Sequence, residues 1–206
     1  MRFLPLAMAL TAMLGFAGEN PRMVYSKSFP GSTPAYVEIT LDPSGAGTYK
    51  EAVDDDPEPF TMDAAATREM FDLAGKLGHF SRPLESGLKV ANMGAKSFRW
   101  EDGAAKNEVK FNYSMDEDAK TLYDWFEKIT ESERLLAEFK RAVRHDRLGV
   151  NEAVVNIQAS WERKRLAPAE QFLPLLDQVA KNEIFMHMAR ERAAQLAEAI
   201  RAAKKI

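Results

Sequence analysis

The sequence predicts an α+β fold: a small antiparallel sheet of two hairpins with a packed helix, followed by a long C-terminal helical hairpin. Two patterns carry this prediction. Between residues 24 and 113, apolar and polar residues alternate on either side of turn-forming segments, which is typical of antiparallel strands with one buried face. After Ser114, apolar residues recur every three or four positions to the end of the chain, which is the period of amphipathic helices.

The first 17 residues carry the pattern of a secretory signal peptide. Arg2 supplies a short positive start, residues 3–16 are almost wholly apolar, and Gly15 and Ala17 place small residues before a predicted cut after Ala17. A buried strand or helix is the alternative, but the run is short for a bilayer and residues 18–21 form a polar turn. We therefore expect export to a periplasm or to the medium, with residues 1–17 removed.

The composition narrows the chemistry of the exported chain. The sequence has no cysteine, so it offers neither a disulfide framework nor a thiolate nucleophile. The formal net charge is -3, and loss of Arg2 with the signal peptide makes it one unit more negative. A mildly acidic chain is not a general nucleic-acid binder. The rest of the chain has no apolar run long enough to cross a membrane, so we expect no integral membrane segment after cleavage.

The sheet is predicted within residues 18–113. Residues 24–29 form a short apolar strand, and residues 36–41 and 48–51 form a first hairpin around a turn at residues 43–47.

A second hairpin turns at Asp102 and Gly103 and supplies the largest apolar face. That face carries rings and branched side chains: Phe98, Trp100, Val109, Phe111 and Tyr113. The opposite face, which we expect to meet water, carries charges: Arg99, Glu101, Glu108 and Lys110. Because a globular domain does not leave so large an apolar face exposed, neighbouring segments must cover it.

One helix is predicted between the two hairpins. Asp63 stands at its N-cap, and apolar residues follow at helical spacing until the helix ends near Gly78. Residues 53–59 precede it as an acidic, proline-bearing loop. Residues 88–93 predict one more strand, although their alternation is poorer.

The region 114–206 predicts helices packed on the sheet or extending from it. Its first stripe consists of Leu122, Phe126, Ile129, Leu136, Phe139 and Val143. Gly149 either interrupts this helix or merely weakens it. Beyond it lies a tight seam of the coiled-coil kind, formed by Val150, Val154, Ile157 and Trp161. Residues 163–168 end that helix, and a last helix covers residues 169–203, with Pro174 as a kink point and Leu173, Leu176, Ala180 and Ile184 as its stripe.

The most distinctive predicted surface is a basic strip formed by Lys140, Arg141, Arg144 and Arg147. Their spacing of one, three and three residues places them along one side of a helix. Such a strip suits an acidic partner or an anionic surface, and the alternative is an ordinary solvated helix face.

Catalytic and metal-binding signatures are absent from the sequence, which has no phosphate loop, no His-Glu-x-x-His and no Gly-x-Ser-x-Gly. We therefore expect no catalytic residue, no metal ligand and no cofactor. The acidic residues 54–58 lack the ligand spacing and central glycine of a calcium loop, which favours a solvated loop. The three histidines are far apart in the sequence and fit surface or helix-end positions better than a metal site.

The aromatic and basic residues around the second hairpin allow a different interpretation, as a platform for carbohydrate or single strands. Alternation favours core packing instead, because it places the rings on one face and most of the charges on the other.

Three stretches taken together, the alternation around Glu38 and residues 146–151 and 161–166, resemble an uncharacterised group of exported bacterial proteins. The resemblance covers most of the mature chain but rests on no specific motif. Since it implies no known activity, it transfers no functional residue.

Two functional hypotheses follow from the sequence. The first is an exported, non-enzymatic interaction or scaffold protein, whose partner is an envelope protein or a second copy of the chain. The second is a small-ligand-binding or hydrolytic protein with its site between the sheet and the helices.

Overall fold

The computed structural model describes residues 20–204 and confirms the α+β fold. The strands are β1 (Arg22–Ser28), β2 (Tyr36–Leu41), β3 (Ala46–Lys50), β4 (Glu58–Thr61), β5 (Ala95–Asp102) and β6 (Ala105–Phe111). The helices are α1 (Ala64–Lys76), α2 (Glu117–His145), α3 (Gly149–Glu162), α4 (Leu173–Lys181) and α5 (His187–Ala203). The predicted signal peptide lies outside the described residues. Between residues 20 and 204, every helix is too short or too polar to span a bilayer.

Strand β1 joins the two predicted hairpins into one antiparallel sheet, in the order β4-β3-β2-β1-β5-β6. It pairs with β2 on one side and β5 on the other, so Tyr25 stands between Ile39 and Phe98. Because side chains of a strand alternate between faces, Met23 and Tyr25 share the buried face. The Tyr25 ring stacks on Phe126 of α2 with centroids 4.7 Å apart, and this face of the sheet packs against the helices.

Helix α1 begins where the sequence predicts, because Asp63 satisfies two backbone groups that the first turn leaves without partners. Its carboxylate accepts the N–H groups of Ala65 and Ala66 at 3.0 and 2.9 Å. The apolar stripe of α1, including Met70 and Ala74, is buried in the same core as the sheet.

The second hairpin confirms the predicted turn and the core positions of Phe98, Trp100, Val109 and Phe111, whereas Tyr113 lies beyond the end of β6 and is half-buried. Two charged side chains are more buried than expected. Lys96 lies on the apolar face and is only 3% exposed. Its ammonium group donates to the carbonyl oxygens of Asn112 at 2.7 Å and Met93 at 3.2 Å, and it lies 5.3 Å from the Tyr123 ring. Burial lowers the pKa of Lys96. Through these contacts Lys96 links the segment before β5 to the residue that follows β6.

Glu101 was expected to meet water on the opposite face, and that prediction is wrong. It is buried between Arg22 and Arg99, whose guanidinium groups lie within ion-pair distance of its carboxylate. Burial opposes ionisation, but the hydrogen bond from Arg22 and the neighbouring cations hold the pKa of Glu101 below its usual value.

Two local assignments also differ from the sequence prediction. The edge strand β4, residues 58–61, begins inside the predicted loop of residues 53–59; it has a single buried residue, Phe60, and so shows too little alternation to be recognised. Residues 88–93, predicted as a strand, have no regular structure and are exposed. The Asn112 side chain holds this segment by bonding to the backbone of Ala91 and Met93.

Helix α2 connects two hydrophobic cores. Leu122, Phe126 and Ile129 in its first half belong to the core of the sheet, whereas Leu136 and Phe139 belong to a core among the helices. The polar residues 130–133 lie between the two groups, where the two cores meet. There the buried Ser132 hydroxyl accepts the N–H of Ala167 at 2.8 Å, which ties the connection after α3 to the middle of α2.

The C-terminal region contains more breaks than the sequence predicts. Helix α2 ends at His145 and α3 begins at Gly149, whose N–H donates to the Asp146 carboxylate at 3.0 Å, so Gly149 marks an interruption. The predicted single helix at residues 169–203 is two helices, α4 and α5, which pack on each other. Pro174 sits in the first turn of α4, where its missing N–H is tolerated without a kink. Ile184 lies in the break and is 53% exposed, not part of a buried stripe.

A candidate binding groove beside helix α2

A groove of about 540 Å³ separates the β3–β4 loop from the second half of α2. We call it the bipolar groove, because one wall is acidic and the other is basic. Its lining residues are Tyr49, Lys50, Glu51, Asp55, Asp56, Glu58, Glu133, Ala137, Lys140, Arg141, Arg144 and His145.

The basic wall contains three of the four residues of the predicted basic strip. Lys140, Arg141 and Arg144 line the groove, whereas Arg147 follows the end of α2 and lies outside it. Lys140 reaches Glu58 at 3.9 Å. Arg141, Arg144 and Arg147 are exposed and have no ion-pair partner within 4.0 Å among residues 20–204. The strip therefore presents three guanidinium groups to solvent.

The acidic wall is the loop that connects β3 to β4. Tyr49 and Glu58 are register partners in the sheet, so the loop is anchored at both ends. The Lys50 ammonium group also donates to the Val53 carbonyl oxygen at 2.9 Å, inside the loop. The loop exposes the carboxylates of Asp54, Asp55 and Asp56. Among residues 20–204, no group of three acidic or histidine side chains is arranged to hold a metal ion.

Glu133 forms the inner end of the groove and is only 6% exposed. Its carboxyl group accepts the side-chain N–H of Gln171 at 2.8 Å. Burial raises the pKa of Glu133 from 4.5 to about 7, with nearby Glu58 adding to the rise, while the Gln171 hydrogen bond and Lys140 oppose it. The Glu133 carboxyl group is therefore partly protonated at neutral pH, which the sequence pattern did not reveal.

A second cavity, of about 520 Å³, lies between the sheet and the helices. Its walls carry charges that are already paired. Lys27 contacts Glu127 at 3.1 Å, and the Arg165 guanidinium group reaches Glu131 at 3.1 Å. The Ser160 hydroxyl donates to the same Glu131 carboxylate at 2.6 Å. These contacts fasten α2 to β1 and to the end of α3, so they explain the charges without a ligand.

The aromatic residues of the second hairpin are packed as the sequence favoured. Phe98 is fully buried, and its ring centroid lies 5.0 Å from that of Phe111. The rings of Phe98, Trp100 and Phe111 therefore belong to the core and do not form an exposed platform. His79 lies against Trp100, with ring centroids 4.4 Å apart, and His187 lies 3.2 Å from Glu191.

The sequence identified the basic wall of the groove but treated the acidic loop separately. The structure places both on one cavity, because the sheet edge at β4 lies beside α2. No protein-family model matches this chain, and no curated protein is significantly similar to it.

Proposed function

We propose that this chain is an exported, non-enzymatic interaction protein that binds a carboxylate-bearing partner at the bipolar groove. The observation that carries the proposal is the state of Arg141 and Arg144. Both guanidinium groups are exposed on a cavity wall and lack ion-pair partners among the described residues, although acidic residues of the same chain line the same cavity.

The separation of the two walls makes the arginines available. Ion pairs between exposed side chains contribute little, typically about 0 to 1 kcal/mol, so a few exposed carboxylates on the opposite wall do not close the groove. A partner that presents several carboxylates at once gains from all of the cations together. Complementary charge of this kind also speeds encounter and fixes the orientation of the partner.

The compartment of this function is proposed from the N-terminal sequence. Residues 1–17 have the charged start, apolar segment and small residues of an export signal. The partner would then be met outside the cytoplasm.

The binding proposal is tested with residues 18–206, which contain the whole described structure, and a fluorescent oligoglutamate peptide as the probe. We expect the double variant Arg141→Glu, Arg144→Glu to weaken peptide binding by about tenfold or more, because each substitution replaces attraction by repulsion. The readout is fluorescence anisotropy at low ionic strength.

A matched control removes the effect of net charge alone. Arg68→Glu with Lys89→Glu makes the same change in net charge at two other exposed cations that have no ion-pair partner among residues 20–204 and do not line the groove. Binding by this control should stay close to that of the unchanged protein. An equal loss of peptide binding in both double variants would show that the peptide responds to overall charge, and would contradict binding at the groove.

A second candidate function is small-ligand binding in the cavity between the sheet and the helices, favoured by its size and position. A rise in melting temperature with one member of a panel of sugars, peptides or metal ions would support it. We prefer the interaction proposal because the charges of that cavity are paired with one another, whereas the arginines of the bipolar groove are not.

A further inference from the structure

We infer that the partner fitted by the bipolar groove is a second copy of this chain, with the acidic loop of each copy bound to the basic strip of the other around a two-fold axis. The inference rests on the proposed function of the groove as a binding surface, and it identifies the partner.

The first observation is that the two complementary surfaces lie side by side and remain almost unconnected. The acidic loop exposes Asp54, Asp55 and Asp56, and the end of α2 exposes Arg141 and Arg144 across the cavity. Within residues 20–204, the ion pair between Lys140 and Glu58 is the one contact of opposite charges that crosses from strip to loop region. Both surfaces thus keep most of their charge available.

The second observation explains why the acidic loop does not pair with the arginines of its own chain. The loop is held at both ends by the pairing of Tyr49 with Glu58, and within by the bond from Lys50 to Val53. It therefore stays on its own side of the cavity. A second molecule, in contrast, approaches from solvent and is free to place its loop against the arginines.

The third observation is that each surface carries an exposed apolar side chain. Val53 in the acidic loop is 66% exposed, and Leu148, next to Arg147, is 77% exposed. These are the two most exposed large apolar side chains among residues 20–204. Covering them on association adds an apolar contribution that survives salt, beside the charge contacts that salt screens.

Symmetry makes this combination specific to self-association. In a two-fold dimer the same patch occurs on both subunits, so every contact is made twice and the patch must be complementary to itself. A patch of one sign would repel its own copy. A patch with an acidic half and a basic half, related by an axis through the groove, attracts its copy even though each chain is net negative.

The test exchanges the charges of the two surfaces, using residues 18–206 and sedimentation velocity. One variant carries Arg141→Glu and Arg144→Glu, and the other carries Asp55→Lys and Asp56→Lys. In a symmetric dimer each variant alone opposes like charges twice, so we expect each to sediment as a monomer under conditions where the unchanged protein forms a dimer. Circular dichroism melting checks that both variants are folded.

Mixing the two variants is the decisive step. In the mixed pair, the acidic loop of the first variant meets the basic strip of the second, and the basic loop of the second meets the acidic strip of the first. We therefore expect dimers to return in the mixture, and to weaken about tenfold between low and high salt. The control pair Arg68→Glu, Lys89→Glu should dimerise like the unchanged protein.

The outcomes separate this inference from the proposed function. A monomeric unchanged protein that still binds oligoglutamate through Arg141 and Arg144 overturns self-association and leaves the interaction function standing. Dimers that persist in either charge-exchanged variant, or that fail to return in the mixture, overturn the two-fold arrangement. If the unchanged protein neither dimerises nor binds oligoglutamate at the groove, both proposals are wrong.

Discussion

Replacing Glu133 by glutamine should make the protein more stable, and the gain should grow with pH. Glu133 is buried beside the bipolar groove, with Gln171, Lys140 and Glu58 as its polar neighbours. Glutamine has nearly the same shape and keeps an oxygen that accepts the Gln171 hydrogen bond. The substitution therefore removes ionisation while it leaves the packing in place.

The magnitude follows from the difference in pKa between the folded and unfolded states. The folded-state pKa of Glu133 is about 7, above the unfolded value of 4.5. The folded protein thus binds its proton more tightly, so the associated stability is present at low pH and is lost as pH rises from 4.5 to 7. At 1.36 kcal/mol for each pKa unit, the loss between pH 5 and pH 8 is about 2 to 3 kcal/mol.

Urea unfolding of the unchanged protein and of Glu133→Gln at pH 5 and pH 8 measures this difference. We expect the advantage of the variant in unfolding free energy to be larger at pH 8 by about 2 to 3 kcal/mol. Glu138→Gln, at an exposed position of the same helix, controls for the loss of one carboxylate. An advantage that is the same at both pH values would refute the conclusion that burial suppresses ionisation of Glu133.

Four further predictions concern the core, the sheet, helix α1 and the N-terminus. Phe126→Ala removes the ring stacked on Tyr25 and should lower the unfolding free energy by about 3 to 5 kcal/mol in urea titrations. Gly47→Ala should also lower the stability of the protein, since its new methyl group would lie 2.7 Å from the backbone oxygen of Thr40. Gly75→Ala, in α1, meets open space and should instead raise the melting temperature, by the equivalent of about 1 kcal/mol. N-terminal sequencing of the protein from its host's exported fraction should begin at Gly18, and an intact Met1 there would contradict cleavage.

Much of the fold was predictable because it depends on interactions between neighbours in the sequence. The Asp63 cap acts on residues two and three positions later, and the turn at Asp102 and Gly103 joins two adjacent strands. The buried stripe of α2 likewise follows from helical periodicity alone. The break between α4 and α5 was missed because its apolar residues keep helical spacing through Ile184, and only packing shows that this residue is left in solvent.

The candidate site was predictable on one wall only. The basic strip is a pattern within one helix, so spacing alone placed Lys140, Arg141 and Arg144 together. The acidic loop looked like a solvated loop because nothing near it in the sequence indicates what lies opposite. Nothing in the spacing of residues in α2 distinguishes Glu133 from the polar residues before it, because burial is a property of the packed chain.

The sequence by itself therefore determined the local features of the structure: the class of fold, the strands and turns of both hairpins, the cap of α1, and a basic helical face. The tertiary structure decided which of these parts meet. It placed β1 in the centre of one sheet, enclosed Lys96 and Glu101, and set the acidic loop across a cavity from the basic strip. The physical reason is that these contacts join segments distant in sequence, whose encounter depends on the packing of the whole chain.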